Sequence, residues 1–231
     1  MSSSLFSTPL FGVALTLFAF QLAMLIYRRY QYTILNPAVV AIGLIIILLL
    51  QCHIPYADYA RGGNMILFLL GPAVVALGVP LYQRRAEIML RFVPIVVGIS
   101  VGAVTSIATA SGIVLLMGGG KQLALTMAPK SVTTPIAIGI ANKIGGITPL
   151  TAAVVVVTGC LGAVVGPWFC RLLGIRDYAS MGLAIGTSAH GIGTGRMLEI
   201  DLLGGAIAGL AIGINGMITA LVMPLFVMLL E

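Results

Sequence analysis

Long apolar stretches alternate along the chain with short charged connections. Several stretches run for about 18 residues or more without an internal charge, the length that a helix needs to cross a bilayer. They include Thr8–Tyr27, Ile34–Cys52, Met65–Gln83, Phe92–Lys121 and Gly204–Leu230. They are too long and too uniformly apolar for the alternating strands of a membrane barrel. The pattern predicts an all-α, polytopic integral membrane protein with about six to eight membrane segments.

Two segments in the second half interrupt this pattern. Leu123–Asn142 contains Pro129 and Pro135, and Met181–Arg196 contains closely spaced glycines. A proline removes one backbone donor and frees a carbonyl one turn earlier, and glycine weakens helical order. We expect both segments to be discontinuous, and at least one of them to be a re-entrant, half-membrane element.

The interrupted segments combine irregular backbone with polar side chains. Such backbone persists at membrane depth only where protein or a watery cavity supplies partners, and half-helix N-termini favour anions. Lys130 lies in the first break and Arg196 ends the second. Together these features predict a binding site for a small carboxylate. The hydroxyl groups expected there belong to Ser131, Thr133, Thr134, Thr187, Ser188 and Thr194.

Two more side chains are candidates for this site. His190 lies among the glycines of the second break. Because histidine titrates near neutral pH, we predict that it couples a proton or binds substrate. Asn36, which precedes Pro37, is a more distant candidate for the cavity wall.

A structural interpretation of the same residues stays open. Lys130 and Arg196 are alternatively interfacial charges, with hydroxyl groups bonded back to their own helices. Glu199 and Asp201 are close in sequence to Arg196 and are candidate salt partners. His190 is alternatively a hydrogen-bonded packing residue.

The distribution of basic residues predicts a topology. The formal net charge is +6, but the basic residues are scattered between apolar segments, which argues against nucleic acid as a partner. Arg28 and Arg29 follow the first segment, and Arg84, Arg85 and Arg91 follow the third. The positive-inside rule places both loops in the cytoplasm and the N-terminus outside.

The topology of the second half depends on the two breaks. If both segments turn back, Arg171 and Arg176 are cytoplasmic; if both cross, these arginines lie outside. The C-terminus faces outward in either case. The first segment has neither the basic flank nor the cleavage site of a signal peptide, and no transit peptide is seen, which favours a bacterial inner membrane.

Composition supports one membrane domain over residues 1–231 and argues against an enzyme. Hydrophobic residues make up 60% of the chain and charged residues 8%, and no linker is evident. The motifs hold no acidic partner for a nucleophile and no metal-ligand cluster, so we expect no catalytic role, metal or cofactor. Leu35–Ala41 is echoed by Leu70–Ala76, a weak indication of an inverted repeat.

The motifs at these positions resemble those of the LrgB/CidB family of bacterial membrane proteins. The resemblance covers nearly the whole chain and rests above all on Pro129–Ala137 and on Gly186–Arg196, with support from Leu35–Pro37, Leu70–Leu77 and Gly145–Ile147. The family has a plant relative, the plastid glycolate/glycerate translocator. The resemblance implies a carrier of small monocarboxylates such as glycolate, glycerate, pyruvate or lactate.

The resemblance also implies an alternative function. Members are described as holin-like or antiholin-like modulators of murein hydrolase activity and autolysis, acting with a small LrgA/CidA-type membrane partner. The paired breaks with cations and hydroxyls favour the carrier, because a pore former has no need of such a site. We further expect a homodimer, as is common among carriers.

Overall fold

The computed structural model describes residues 8–30, 32 and 35–230, apart from the side chains of Leu70 and Val74. Within these residues the chain is mostly helical and forms no strand, so the predicted all-α class is confirmed. Ile34, the predicted start of the second apolar stretch, lies outside the described residues. The chain divides into two compact units, Met1–Ala76 and Leu77–Glu231. Whether they act as one domain stays a prediction.

The described residues of the first unit form four α-helices. They are α1 (Pro9–Tyr30), α2 (Pro37–Gln51), α3 (Tyr56–Phe68) and α4 (Leu70–Ala76). Helices α1 and α3 cross closely at Gly12 and Gly62, where a Cβ on either residue would collide with backbone of the other helix. At the same crossing the hydroxyls of Thr16 and Tyr59 lie 3.0 Å apart. Small residues allow this close helix packing in the absence of a hydrophobic driving force between membrane helices.

The second unit contains eight helices among the described residues. They are α5 (Gly78–Gln83), α6 (Arg85–Leu90), α7 (Phe92–Leu116), α8 (Lys121–Met127), α9 (Thr134–Ile144), α10 (Thr148–Leu172), α11 (Tyr178–Ile200) and α12 (Leu202–Leu229). Five described segments are long and apolar enough to span a membrane: α1, the run Tyr56–Gln83, α7, α10 and α12. Helix α2 is a shorter apolar helix. The multi-pass architecture is therefore as predicted.

The first interrupted segment turns back on itself and is called hairpin A (Lys121–Ile144). Helix α8 ends at Met127, a non-helical stretch follows, and α9 begins at Thr134. The chain then returns to the level of the end of α8, because the amide of Ile147 donates to Thr126 Oγ1 at 2.9 Å. Gly145, with φ of 80°, ends α9 in the left-handed conformation that glycine permits. The predicted break is confirmed and is re-entrant.

The second interrupted segment is also re-entrant and is called hairpin B (Tyr178–Ile200). Its helix is broken at His190, which has φ 41° and ψ −137°. Both ends of the hairpin contact the start of α12, since a Cβ on Gly204 would lie 2.7 Å from Tyr178 O and 2.7 Å from Met197 Cε. A straight helix would place these two residues about 28 Å apart. The prediction of a discontinuous helix is again confirmed.

The two hairpins approach α12 from opposite ends. Hairpin B packs on its N-terminal half at Gly204 and Ala208, whereas hairpin A packs on its C-terminal half at Gly216 and Met223. A helix of the length of α12 extends about 42 Å, enough to cross the bilayer. Its midpoint is near Asn215, so the tips of both hairpins lie at mid-membrane depth.

An ion pair supports the topology in which both segments turn back. Arg91, before α7, pairs with Asp177, before hairpin B, at 3.1 Å. The loop that carries Arg171 and Arg176 therefore lies on the same side as Arg84, Arg85 and Arg91. This is the arrangement that the charge rule favours.

Candidate functional site

The tip of hairpin A carries a cluster of one ammonium and two hydroxyl groups. Lys130 Nζ donates to Ser131 Oγ at 3.1 Å and to Ser106 Oγ on α7 at 3.3 Å. The two hydroxyl oxygens are 2.7 Å apart. Ser131 is buried and Lys130 is half-buried. A cation held at membrane depth by neutral hydroxyls, rather than by a carboxylate, keeps its charge available for an anion.

The side chain of Asn215 joins the two hairpins. Its Nδ2 donates to Ser131 O in hairpin A at 3.1 Å and to Thr187 O in hairpin B at 2.9 Å. Its Oδ1 accepts a hydrogen bond from Thr219 at 3.4 Å. Asn215 is 1% exposed. The two interrupted segments thus meet at this buried amide.

His190 provides a second link, through α10. Its Nε2 lies 2.9 Å from Val155 O, which requires the Nε2–H tautomer when the ring is neutral. Val155 in turn packs in a buried cluster with Val132 and Ala137 of hairpin A. The ring fits against Gly159, where a Cβ would lie 2.6 Å from His190 Cε1. Glycine at this position is therefore required for the imidazole to reach α10.

A narrow crevice lies beside this cluster, between hairpin A, α7 and α12. Its walls include Ser106, Ile107, Pro129, Ser131, Asn215 and Thr219. The space between them is too narrow to admit a water molecule. The crevice is therefore closed in this conformation.

The start of α9 adds to the positive character of this tip. Thr133 is the N-cap residue but makes no side-chain capping hydrogen bond, and Thr134 and Pro135 follow it. The N-terminal amides of a helix without a side-chain cap favour an anion through the helix dipole. The hydroxyls of Thr133 and Thr134 are half-buried near this end.

Other predicted hydroxyl groups bond to their own helix. Thr187 Oγ1 donates to Leu183 O and Ser188 Oγ to Ala184 O, each at 2.7 Å, and Thr194 Oγ1 donates to His190 O at 2.9 Å. Intrahelical bonding of this kind is the structural alternative stated from the sequence. Their part in ligand binding stays a prediction.

Arg196 and Asn36 have local partners. Arg196 Nη1 pairs with Glu199 Oε2 at 2.7 Å on the returning arm of hairpin B. This is one of the salt pairs that the sequence allowed, and it favours the interfacial interpretation of Arg196. Asn36 Oδ1 accepts from the amide of Ala38 at 3.0 Å and caps α2 in the first unit.

Comparison with known proteins identifies the family. The sequence model of the LrgB-like family matches residues 16–229 of the chain. The chain belongs to the LrgB-like family. It is 34% identical to YxaC of Bacillus subtilis, over 94% of each chain. It is 32% identical to the antiholin-like protein LrgB of Bacillus subtilis, over 96% of this chain and 97% of that protein. No solved structure matches this LrgB-like chain.

The holin-like protein CidB of Staphylococcus epidermidis is also similar. It is 29% identical over 94% of this chain and 95% of that protein. The relatives therefore carry both holin-like and antiholin-like names. These names describe the relatives and belong to no enzyme class.

Three residues of the candidate site in this LrgB-like protein were not predicted from the sequence. All three lie inside long apolar helices. Ser106 and Asn215 reach the tip of hairpin A only through tertiary packing, and Thr219 donates to Asn215. Asn215 leaves a signal, because an amide in the middle of an uncharged stretch needs a partner. The sequence does not show that its partners are the two breaks.

Proposed function

We propose that this LrgB-like membrane protein is a carrier of small monocarboxylates of the glycolate, glycerate, pyruvate or lactate class. The observation that carries the proposal is the cluster of Lys130, Ser131 and Ser106 at the meeting point of two re-entrant hairpins. Hairpins that meet at mid-membrane from opposite sides are suited to exposing one site to each side in turn.

Lys130 is the group that neutralises the carboxylate in this mechanism. Its three N–H donors and the hydroxyls of Ser131 and Ser106 replace the water that a carboxylate loses on entering the membrane. Charge-assisted hydrogen bonds of this type are stronger than those between neutral groups. The hydroxyl or keto group of the substrate then takes the place of the contact between the two serines. Opening of the closed crevice precedes each of these exchanges.

Proton coupling through His190 is the second part of the proposal. An anion that enters against a negative interior is opposed by about 2.3 kcal/mol per 100 mV. Co-transport of one proton removes this opposition. The Nδ1 atom of His190 is the position that would accept the proton, since Nε2 faces Val155 O.

A second candidate function is favoured by the names of the relatives. CidB is described as holin-like and LrgB as antiholin-like. On this hypothesis the protein modulates murein hydrolase activity and autolysis together with an LrgA/CidA-type partner. A homodimer and a location in the bacterial inner membrane are compatible with either function.

Flux into proteoliposomes separates the two functions. A carrier gives saturable uptake of radiolabelled glycolate or pyruvate and retains an entrapped dye, whereas a holin-like pore releases the dye without selectivity. Lys130→Ala is expected to reduce uptake at least tenfold, because the carboxylate loses its charge partner. Lys143→Ala, on the exposed last turn of α9, is the matched control and retains uptake.

A pH gradient tests the coupling. Uptake that rises when the outside is more acidic, and that loses this response in His190→Gln, supports a role for His190. Equal flux with and without the gradient contradicts proton coupling but leaves facilitated transport intact.

A further inference from the structure

We propose that Asn215 is a positioning residue that holds hairpin A closed against hairpin B, and that hairpin A is the element that moves when the crevice opens. The inference rests on the proposed function in one respect, which is that the crevice is the carboxylate site. The contacts that carry it are independent of the substrate.

The hydrogen bonds of Asn215 use its whole side chain. Both donors of Nδ2 are taken by carbonyls, one from each hairpin, and Thr219 donates to the acceptor. The residue is 1% exposed, so water does not replace these bonds while the crevice is closed. Loss of the amide leaves the carbonyls of Ser131 and Thr187 without this donor in a buried environment, which weakens the closed state.

Hairpin B is fixed to its neighbours by backbone contact. A Cβ on Gly182 would collide with the backbone of Gly204, and a Cβ on Gly186 would lie 2.5 Å from Ala208 Cα. On the opposite face, Gly162 of α10 has no room for a Cβ against hairpin B. Because backbone cannot rearrange as a side chain can, hairpin B, α10 and α12 behave as one block.

Hairpin A meets the same helix through the end of a side chain. A Cβ on Gly216 would lie 2.8 Å from Ile136 Cδ1, the far end of a flexible residue. Gly139, on the same helix as Ile136, has nothing within 4 Å of a Cβ position. Hairpin A can therefore shift by changes of side-chain rotamer, which occur much faster than rearrangement of a packed helix pair.

Because hairpin A moves and hairpin B does not, the two hydrogen bonds that Asn215 donates behave differently. When hairpin A shifts, the bond to Ser131 O breaks and the bond to Thr187 O persists. Ser131 supplies both the carbonyl bound by Asn215 and the hydroxyl that contacts Ser106 of α7. One movement thus separates the crevice walls and frees the Ser131 hydroxyl from Ser106 for a ligand.

Thiol accessibility tests this proposal without any measurement of transport. The native residues Cys52, Cys160 and Cys170 are replaced by alanine, and Ser106→Cys provides a nearly isosteric reporter in the crevice wall. Addition of Asn215→Leu is expected to raise the rate of reaction with a charged thiol reagent at least tenfold, since two buried hydrogen bonds are lost. Asn142→Leu, at an exposed position on hairpin A, is the matched control and leaves the rate within twofold.

A second reporter tests which hairpin moves. Thr194→Cys lies on hairpin B at a position that is 1% exposed, and its rate is expected to stay within twofold when Asn215→Leu is added. An equal rise at both reporters overturns the assignment of movement to hairpin A. An unchanged rate at the Ser106→Cys reporter in folded, monodisperse Asn215→Leu overturns the role of Asn215.

A milder variant covers the case in which Asn215→Leu does not fold. Asn215→Ser keeps one donor and is expected to raise the rate at Ser106→Cys about threefold; a rate within 1.5-fold of the parent again overturns the proposal. Carboxylate uptake is measured separately. A raised thiol rate without saturable uptake contradicts the proposed function and supports the role of Asn215. Saturable uptake with an unchanged thiol rate supports the proposed function and contradicts the role of Asn215.

Discussion

Hairpins A and B have the same topology but divide the work of the site between them. At the tip of hairpin A, the non-helical stretch before Thr134 presents Lys130 and Ser131 to a neighbouring helix. In hairpin B the break is confined to His190, and the hydroxyl of Thr187 is used within its own helix. Under the proposed function, hairpin A supplies the groups that bind the carboxylate, and hairpin B supplies the close-packed surface that faces them.

The difference has a simple physical origin. Glycines in register on hairpin B and its neighbours bring backbones into contact, which maximises dispersion and leaves little room for polar groups. Hairpin A makes fewer close backbone contacts with α12, and side-chain hydrogen bonds from Ser106 and Thr151 tie it to α7 and α10. Membrane proteins tolerate irregular backbone of this kind only where protein or a water-filled cavity supplies hydrogen-bond partners.

The largest expected effect comes from filling the contact of hairpin B with α12. Gly186→Ala places a methyl group 2.5 Å from Ala208 Cα and O, and the backbone must move to accept it. We expect a loss of about 3 kcal/mol or more in the free energy of unfolding. Thermal unfolding in detergent measures the loss.

Gly195→Ala on the returning arm of hairpin B is the control for that experiment. Nothing lies within 4 Å of its Cβ position, so better helix propensity should leave stability unchanged or slightly raised. Similar destabilisation by both variants would contradict the close-packed interpretation of hairpin B.

The second expected effect concerns ligand chemistry at hairpin A. Ser131→Ala removes the hydroxyl that lies 3.1 Å from Lys130 Nζ, and KM for carboxylate uptake is expected to rise about tenfold. Ser188→Ala, whose hydroxyl bonds to Ala184 O in hairpin B, should change KM less than twofold. Equal changes in the two variants would show that the hairpins contribute alike.

A smaller effect is expected at Arg196. The side chain of Arg196 is 16% exposed and that of Glu199 is 49% exposed, so solvent screens the pair from the glutamate side and its contribution is on the order of 1 kcal/mol. Arg196→Gln should therefore leave carboxylate uptake within about threefold of the unmodified protein. A loss of uptake as large as that expected for Lys130→Ala would instead support a role for Arg196 in binding the carboxylate.

The smallest effect is a pH dependence of stability at the loop that leads into hairpin B. Burial acts to raise the pKa of Asp177, but hydrogen bonds from Ser180 and from Arg91 outweigh it and hold the pKa below its usual value. A depressed carboxyl pKa stabilises the fold above the unfolded pKa of about 3.9, and this contribution is lost as the pH falls through the folded pKa.

Asp177→Asn isolates that charge, because asparagine also caps a helix. We expect the unmodified protein to be more stable than the variant at pH 6, by no more than about 1 kcal/mol for an exposed pair, and the difference to shrink as the pH falls below about 4. Thermal unfolding across this range measures the difference. A gap that does not shrink as the pH falls would show that Asp177 acts through its cap rather than its charge.

The sequence by itself determined the membrane class, the helical fold and the positions of both breaks. Uncharged stretches of membrane-spanning length leave no soluble alternative, and Pro129, Pro135 and the glycines around His190 disrupt helices locally. Such effects act over one or two helical turns, so they can be predicted from the amino-acid sequence alone. Lys130, as the cation of the first break, was identified on the same local basis.

Tertiary structure alone decided that both breaks turn back and that their tips meet at Asn215. These facts depend on contacts between residues far apart in sequence, such as Asn215 with Ser131 and Thr187. Local preferences carry no information about which distant carbonyl a buried amide will bind. For the same reason, only packing showed that Lys130 is held by the hydroxyl of Ser106. The pair of Arg196 with Glu199 is local, and it is one of the salt pairs that the sequence allowed.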